Sequence, residues 1–254
     1  MPGCYLKKEI TKYINNEKVK VIFEIGSRDC LDAINLYKHY NVKVYAFECN
    51  PLAIKICKEN LKKYDIKDDQ VELIEKAIYN EEGEITFYPV DKTVNAETVD
   101  NDTDFVKIDE NTSANIGASS LFKINKDYQK VKYNNDKHHQ QNTEVKVQSI
   151  RLDNFIKERN IDRVDLICMD LQGAELMAFQ GMGEHLKDVR YIITELCTSV
   201  EKNGKIIENY DGQGNIEIVF NLLKKSNFHH LIGNKLRFSH NDFFFININE
   251  QSLS

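Results

Sequence analysis

Carboxylates recur in this chain where an apolar run has just ended. FEIGSRD (23–29) carries Glu24 and Asp29 on either side of Gly26, Ser27 and Arg28. AFECNP (46–51) sets Glu48 beside Cys49 and Asn50, and VDLICMDLQGAEL (164–176) places Asp170 and then Glu175 after its apolar run. A further run, YIITEL (191–196), carries Glu195 at its end. Acids gathered at one place repel phosphate and favour a cation, or a ligand that offers hydroxyl protons. A pyrophosphate turn instead needs closely spaced glycines exposing backbone donors at a helix N-terminus. Here Arg28 and Asp29 stand where the dinucleotide fingerprint has glycine, and no Walker loop is present.

These acids meet only if the runs that carry them lie side by side. Short apolar runs alternating with amphipathic segments are the pattern of parallel βα units. Strands are expected at 19–25, 42–48, 71–79, 164–169 and 189–196, and an antiparallel pair at 228–232 and 243–248. Helices are expected at 5–16, 30–40, 51–64, 152–159, 175–180 and 214–226. EITFYPV (84–90) alternates like a strand and is expected to pair with 144–150. Between them, the Asn- and Asp-rich stretch 91–142 reads as a lid, a binding loop or a disordered segment, with IGASSLF (116–122) as its one patch expected to pack. The fold class is therefore α/β, a doubly wound, Rossmann-like sheet of seven strands with the last one antiparallel. One domain is expected over 1–254, with an insertion at about 84–150.

Ligands of an open α/β sheet bind beyond the carboxyl ends of its strands, which is where the acids fall. S-adenosylmethionine suits them, with its sulfonium, its ammonium and two ribose hydroxyls. Glu48, one strand over from the glycine turn, is expected to accept both hydroxyl protons. Ala77 and Ile78, at the expected end of the third strand, either sandwich the adenine or pack the core.

The bulk numbers narrow the partners. A formal net charge of −6 argues against a general grip on nucleic acid, which needs a basic face. The hydrophobic fraction of 41% is that of a folded protein. Six cysteines without a CxxC pair read as reduced thiols of a cytoplasmic protein, and no cluster demands a metal. No apolar run reaches spanning length, and the first sixteen residues lack a signal-peptide core. Lysine outnumbers arginine, and Asn and Ile are plentiful, which points to an AT-rich genome, bacterial or viral.

The same residues resemble the FkbM-type S-adenosylmethionine-dependent methyltransferases from about Val21 to Phe228. The likeness rests on FEIGSRD, FECNP, KAIYNEEGEITFY, GASSL, RLDNFI and DLICMDLQGAEL, six short motifs in the right order. It implies a class I methyltransferase fold and O-methylation of a hydroxyl on a sugar, glycan or other small molecule. Two positions depart from the family pattern: Cys168 replaces a common Lys, and Asp29 replaces a common Gly.

Glu24, Gly26, Ser27, Arg28, Asp29, Glu48, Cys49, Asn50, Ala77, Ile78, Ser119, Ser120 and Asp170 are the expected cofactor-binding residues. Several also have structural readings: Asn50 as a helix cap before Pro51, Ser119 and Ser120 as turn caps, Glu175 as a first-turn residue favouring the helix dipole. Asp170, Glu195 and His229 are the candidate general bases, with His230 beside His229. The alternatives are an RNA ribose 2′-O-methyltransferase, a cofactor-binding protein without turnover, and an NAD-dependent enzyme. Cys168 and the acidic balance weigh against the first, since that chemistry usually wants a Lys-Asp-Lys-Glu set and a basic groove.

Overall fold

The computed structural model describes residues 4–94, 105–109, 112–197, 199–231 and 242–251. The expected helix over 5–16 is instead a 3₁₀ turn (Cys4–Leu6), one turn of α1 (Lys8–Thr11) and a second 3₁₀ turn (Asn16–Lys18). Asn15 explains the break: its side chain accepts the Glu17 N–H at 3.0 Å and caps a new turn. Then come β1 (Val21–Ile25), α2 (Leu31–Tyr40), β2 (Lys43–Phe47), α3 (Pro51–Lys63) and β3 (Val71–Ile74). α3 begins where the Asn50 side chain accepts the Leu52 N–H and Pro51 takes a position that has no intrahelical donor to lose.

The third strand stops five residues earlier than the apolar run suggests. β4 (Ala77–Ile78) and β5 (Gly83–Phe87) turn out of the main sheet, and the insertion follows with β6 (Lys92–Thr93), β7 (Phe105–Lys107), β8 (Ser113–Asn115), α4 (Lys126–Tyr133) and β9 (His139–Gln140). β10 (Val145–Ile150) returns, pairing antiparallel with β5, as the alternation of 84–90 predicts, and parallel with β4. The remainder is α5 (Leu152–Glu158), β11 (Leu166–Met169), α6 (Glu175–Gly181), β12 (Tyr191–Glu195), β13 (Ser199–Lys202), β14 (Lys205–Glu208), α7 (Ile216–Lys225), β15 (Phe228–His230), β16 (Asp242–Asn247) and α8 (Ile248–Gln251). The β13–β14 hairpin is absent from the sequence reading.

The main sheet has seven strands in the order β15-β16-β12-β11-β1-β2-β3. β16 runs antiparallel to both of its neighbours, and every other pairing is parallel. Chain order reverses at β1, whose neighbours are β2 and β11, so the crevice for a ligand opens above these three strands. The pleat divides the core. Phe23 and Ile25 face a cluster with Phe155, Ile156, Phe179 and Leu223 from α5, α6 and α7, while Ile22 faces Ile10, Ala33, Leu36 and Cys57 from α1, α2 and α3. Phe23, Phe47 and Phe155 meet edge to face at centroid distances of 5.1–5.8 Å, an arrangement the ring quadrupoles favour.

Of the three readings of the insertion, the described residues set aside a disordered segment, and the patch 116–122 packs as expected, Ile116 being buried with Ala118 and Phe122 packed beside it. Among its described residues, two short antiparallel ladders (β6 with β9, β7 with β8) are supplemented by long polar side chains that bond to backbone. Gln129 accepts the His139 N–H at 2.6 Å and donates to the His139 carbonyl at 3.1 Å. Gln141 donates to the Tyr88 carbonyl at 2.9 Å and accepts the Ile124 N–H at 2.8 Å. A small apolar cluster of Val90, Ala114, Ile116, Ile124 and Tyr210 then packs against Leu52 and Ile56 of α3. Residues 95–104 and 110–111 of that run, and residue 232 of the expected strand 228–232, lie outside the described residues.

Candidate active site

The turn after β1 is shaped by what lies beneath it. Gly26 has φ +90°, and a Cβ there would stand 1.9 Å from the Asp170 carbonyl oxygen. The Asp170 N–H in turn donates to the Ile25 carbonyl at 2.9 Å. The ends of β1 and β11 therefore touch backbone to backbone, which only glycine allows. Arg28 and Cys30 also take positive φ, curling the loop so that Asp29 accepts the Leu31 N–H at 3.0 Å and starts α2. Ser27 donates to the Glu24 carboxylate. Glu24 is buried, and desolvation, opposed by that hydrogen bond, pushes its carboxyl well above the usual range.

Glu48 organises the next loop. One carboxylate oxygen accepts the N–H groups of Cys49 and Asn50 at 2.8 and 2.7 Å, and the other accepts the Arg28 N–H at 2.7 Å. Burial nevertheless raises its carboxyl above the ordinary value. The oxygen facing Arg28 keeps an acceptor site, so a hydroxyl can bond there without displacing a backbone N–H.

Asp170 sits at the carboxyl end of β11, half-buried. Desolvation raises its carboxyl to about 6; a hydrogen bond from Gln172 Nε2 at 2.8 Å and the Arg28 charge pull it down, and Asp242 pushes it up. Asp242 is absent from the sequence-derived set. It opens β16, and because that strand is antiparallel its first residue lies at the end where its parallel neighbours finish, in register with Glu195. An acid at the start of the final strand is the signal that would have found it. Glu175 opens α6 and is buried, its carboxylate accepting the N–H groups of Leu171 at 2.9 Å and Gly173 at 3.1 Å. Burial, and then Asp170, push its carboxyl to about 7.

Other expected residues land elsewhere. Ala77 and Ile78 belong to β4, outside the main sheet, because the chain turns at 75–76. Ile78 packs in the core with Ile150 and Phe179, and Ala77 packs with Phe87 and Val147 beside Cys49. Ser119 Oγ accepts the Val90 N–H at 2.9 Å, and Ser120 Oγ donates to the Gln172 carbonyl at 2.7 Å while accepting the Phe122 N–H at 3.0 Å. Both hydroxyls thus fasten the insertion, and Ser120 fastens it to the loop after Asp170. Asn50 is a helix cap. His229 is exposed on the edge strand β15, with β16 and β12 between it and β11, so the fold does not bring it to the acids. His230 packs among Phe220, Phe243 and Phe245. Cys168 is buried in the core on the α2 side of the sheet.

Seven strands in this order, with one antiparallel strand inside the edge and acids at the carboxyl ends of β1, β2 and β11, define a class I, Rossmann-like methyltransferase. The Methyltransferase FkbM domain matches residues 24–232, and the chain belongs to that family. It is 29% identical over 204 residues to the 2-O-methyltransferase NoeI of Sinorhizobium fredii (strain NBRC 101917 / NGR234), covering 80% of this chain and 70% of that one. Among solved structures it is similar to methyltransferase FkbM from Methylobacillus flagellatus KT, at 8% identity and a TM-score of 0.49 over 90% of this chain. The chain spans 43% of the length of that protein. It is also similar to M. capricolum TrmK in complex with S-adenosyl-homocysteine, at 11% identity and a TM-score of 0.40, over 95% of this chain and 67% of that one. Among the described residues no helix is long and apolar enough to cross a membrane.

Proposed function

We propose that this enzyme methylates a hydroxyl oxygen of a carbohydrate or similar small polyol, with S-adenosylmethionine as donor and Asp170 as the general base. The observation that carries the reading is Asp170 itself, an acid at the crevice between β1 and β11 whose affinity for a proton is raised by burial. The donor set fits the cofactor: Glu48 retains an acceptor site for a ribose hydroxyl, and Asp170 supplies negative charge for a cation. When bound, the cofactor supplies an electrophilic methyl group on a positively charged sulfur.

The protein's own task is then to align the acceptor oxygen, exclude water and remove one proton. With a carboxyl poised near 6, Asp170 is ionised at neutral pH and still basic enough to take a hydroxyl proton as the bond forms. Glu195, half-buried at the end of β12 beside Asp242, is the candidate to hold another hydroxyl of the acceptor. The inserted segment, fastened through Ser120, serves as the cover that sets acceptor identity. The relationship to a 2-O-methyltransferase supports a hydroxyl at position 2 of a sugar ring.

Transfer of labelled methyl from S-adenosylmethionine to a panel of methyl glycosides, each beside its 2-deoxy counterpart, tests this. Label is expected in one or more intact glycosides and absent from the matching 2-deoxy sugar. Asp170→Asn is expected to lower kcat by about 10²–10⁴. Asp170→Asn turning over like the wild type would remove the base assignment, and label passing instead to RNA would replace the acceptor class.

A further inference from the structure

Gln172 is held at more points than a loop residue needs. It sits at φ 50°, and its carbonyl accepts the Ser120 hydroxyl at 2.7 Å. Its side-chain nitrogen donates to Asp170 Oδ1 at 2.8 Å, and its side-chain oxygen lies 2.8 Å from the Tyr210 hydroxyl. An ionised carboxylate only accepts, so the amide must turn its nitrogen to Asp170 and its oxygen to Tyr210. Tyr210 is buried and is fixed by its own neighbours: its N–H donates to Gln213 Oε1 at 2.9 Å, and it bridges to Ile124 of the insertion. Its hydroxyl also lies 3.0 Å from the Ala118 carbonyl. Burial pushes the phenol well above its usual value, so it remains a donor.

We infer that Gln172, oriented by Tyr210, is a positioning residue that aims the Asp170 carboxylate and ties that aim to the seating of the inserted segment. The inference rests on the reading of Asp170 as the base. If Tyr210 loses its hydroxyl, the Gln172 amide is held at its nitrogen end alone, and the hydrogen bond to the carboxylate loosens. If the insertion lifts, Ala118 and Ser120 leave with it, and the same bond is disturbed from both sides. Charged and titratable groups face Asp170 from each surrounding element: Arg28 from the loop after β1, Glu175 from α6, Cys197 after β12, Tyr210 after β14, and Asp242 from β16 beside Glu195. Tyr210→Phe and Gln172→Met alter none of the ionised ones.

The test is a carboxyl-carbon NMR titration of the full chain labelled at aspartate, with the Asp170 signal assigned by its absence in Asp170→Asn. In Tyr210→Phe and in Gln172→Met the midpoint is expected to rise by roughly 0.5–1 unit as a bond to the charged form is lost, which is about a three- to tenfold gain in proton affinity. Should one variant fail to fold, the other decides. An unchanged midpoint in a folded variant overturns the relay whatever the role of Asp170. A raised midpoint together with full turnover by Asp170→Asn leaves the relay standing and removes the base reading.

Discussion

Gly26 and Asp170 are bound to each other by geometry before either meets a ligand. The positive φ at Gly26 costs an L-residue about 1–2 kcal/mol by itself. Added to that, a methyl group would have to displace the Asp170 carbonyl, and with it the start of the loop that follows β11. Gly26→Ala is therefore expected to lose cofactor binding as well as stability, read together by calorimetry and thermal melting. Glu48 makes a different residue-scale case. Its two oxygens accept three N–H groups, so Glu48→Gln turns an NH₂ toward at least one backbone donor. A buried donor left unpaired costs about 1–3 kcal/mol. The expected result is a lowered melting temperature with weaker cofactor affinity, and a variant that binds S-adenosylhomocysteine like the wild type would show that Glu48 serves the loop alone.

Elements were legible where burial set a period and illegible where polar side chains did the work. The five parallel strands of the main sheet that carry or flank the acids came through because a strand covered on both faces reads as an unbroken apolar run. The overshoot at 71–79 has the same cause: Ala77 and Ile78 are as buried as Val71, but in a different sheet, and burial alone does not say which. The β13–β14 hairpin is mostly exposed, so it offers no apolar run; its signal is Asn203-Gly204, whose positive φ values make the turn that suits a two-residue hairpin. Within the insertion the β5–β10 pair and the packed patch 116–122 were legible, and the polar remainder was not, because Gln129, Gln141 and Asp91 act through hydrogen bonds to backbone elsewhere in the chain. At the opposite end of the sheet, Asp165 does comparable work. It is buried, accepts the N–H groups of Lys20 and Val21 at 2.8 and 3.1 Å, and holds Arg190 at 2.9 Å, joining the starts of β1, β11 and β12. Asp165→Ala removes the Arg190 ion pair and takes the acceptor from two N–H groups, and is expected to cost about 2–5 kcal/mol in urea unfolding. Because Asp165 lies a whole strand away from the crevice, cofactor affinity of the folded fraction should be unchanged.

For the molecule as a whole, the crevice gathers acids whose ionisation folding opposes. Glu24, Glu48, Asp170 and Glu175 all hold their protons more tightly in the folded chain than in an unfolded one, burial being the first cause each time. For such groups the unfolded state gives up its proton first, so stability is highest below the unfolded value and is lost as pH rises through the folded one. For Glu175 that window runs from the ordinary 4.5 to about 7, and the loss amounts to about 3 kcal/mol at most. Without ligand, the melting temperature is therefore expected to fall as pH goes from 5 towards 8. A cation bound beside Asp170 favours the ionised acids, so its binding should release protons and tighten across the same range. S-adenosylmethionine carries the sulfonium charge and S-adenosylhomocysteine does not, so the pH dependence should be steeper for the first. Isothermal titration of both ligands at several pH values, in buffers of different ionisation enthalpy, measures the protons released. Equal slopes for the two would mean that the acids respond to the ammonium or the ribose, and that the sulfur lies away from Asp170.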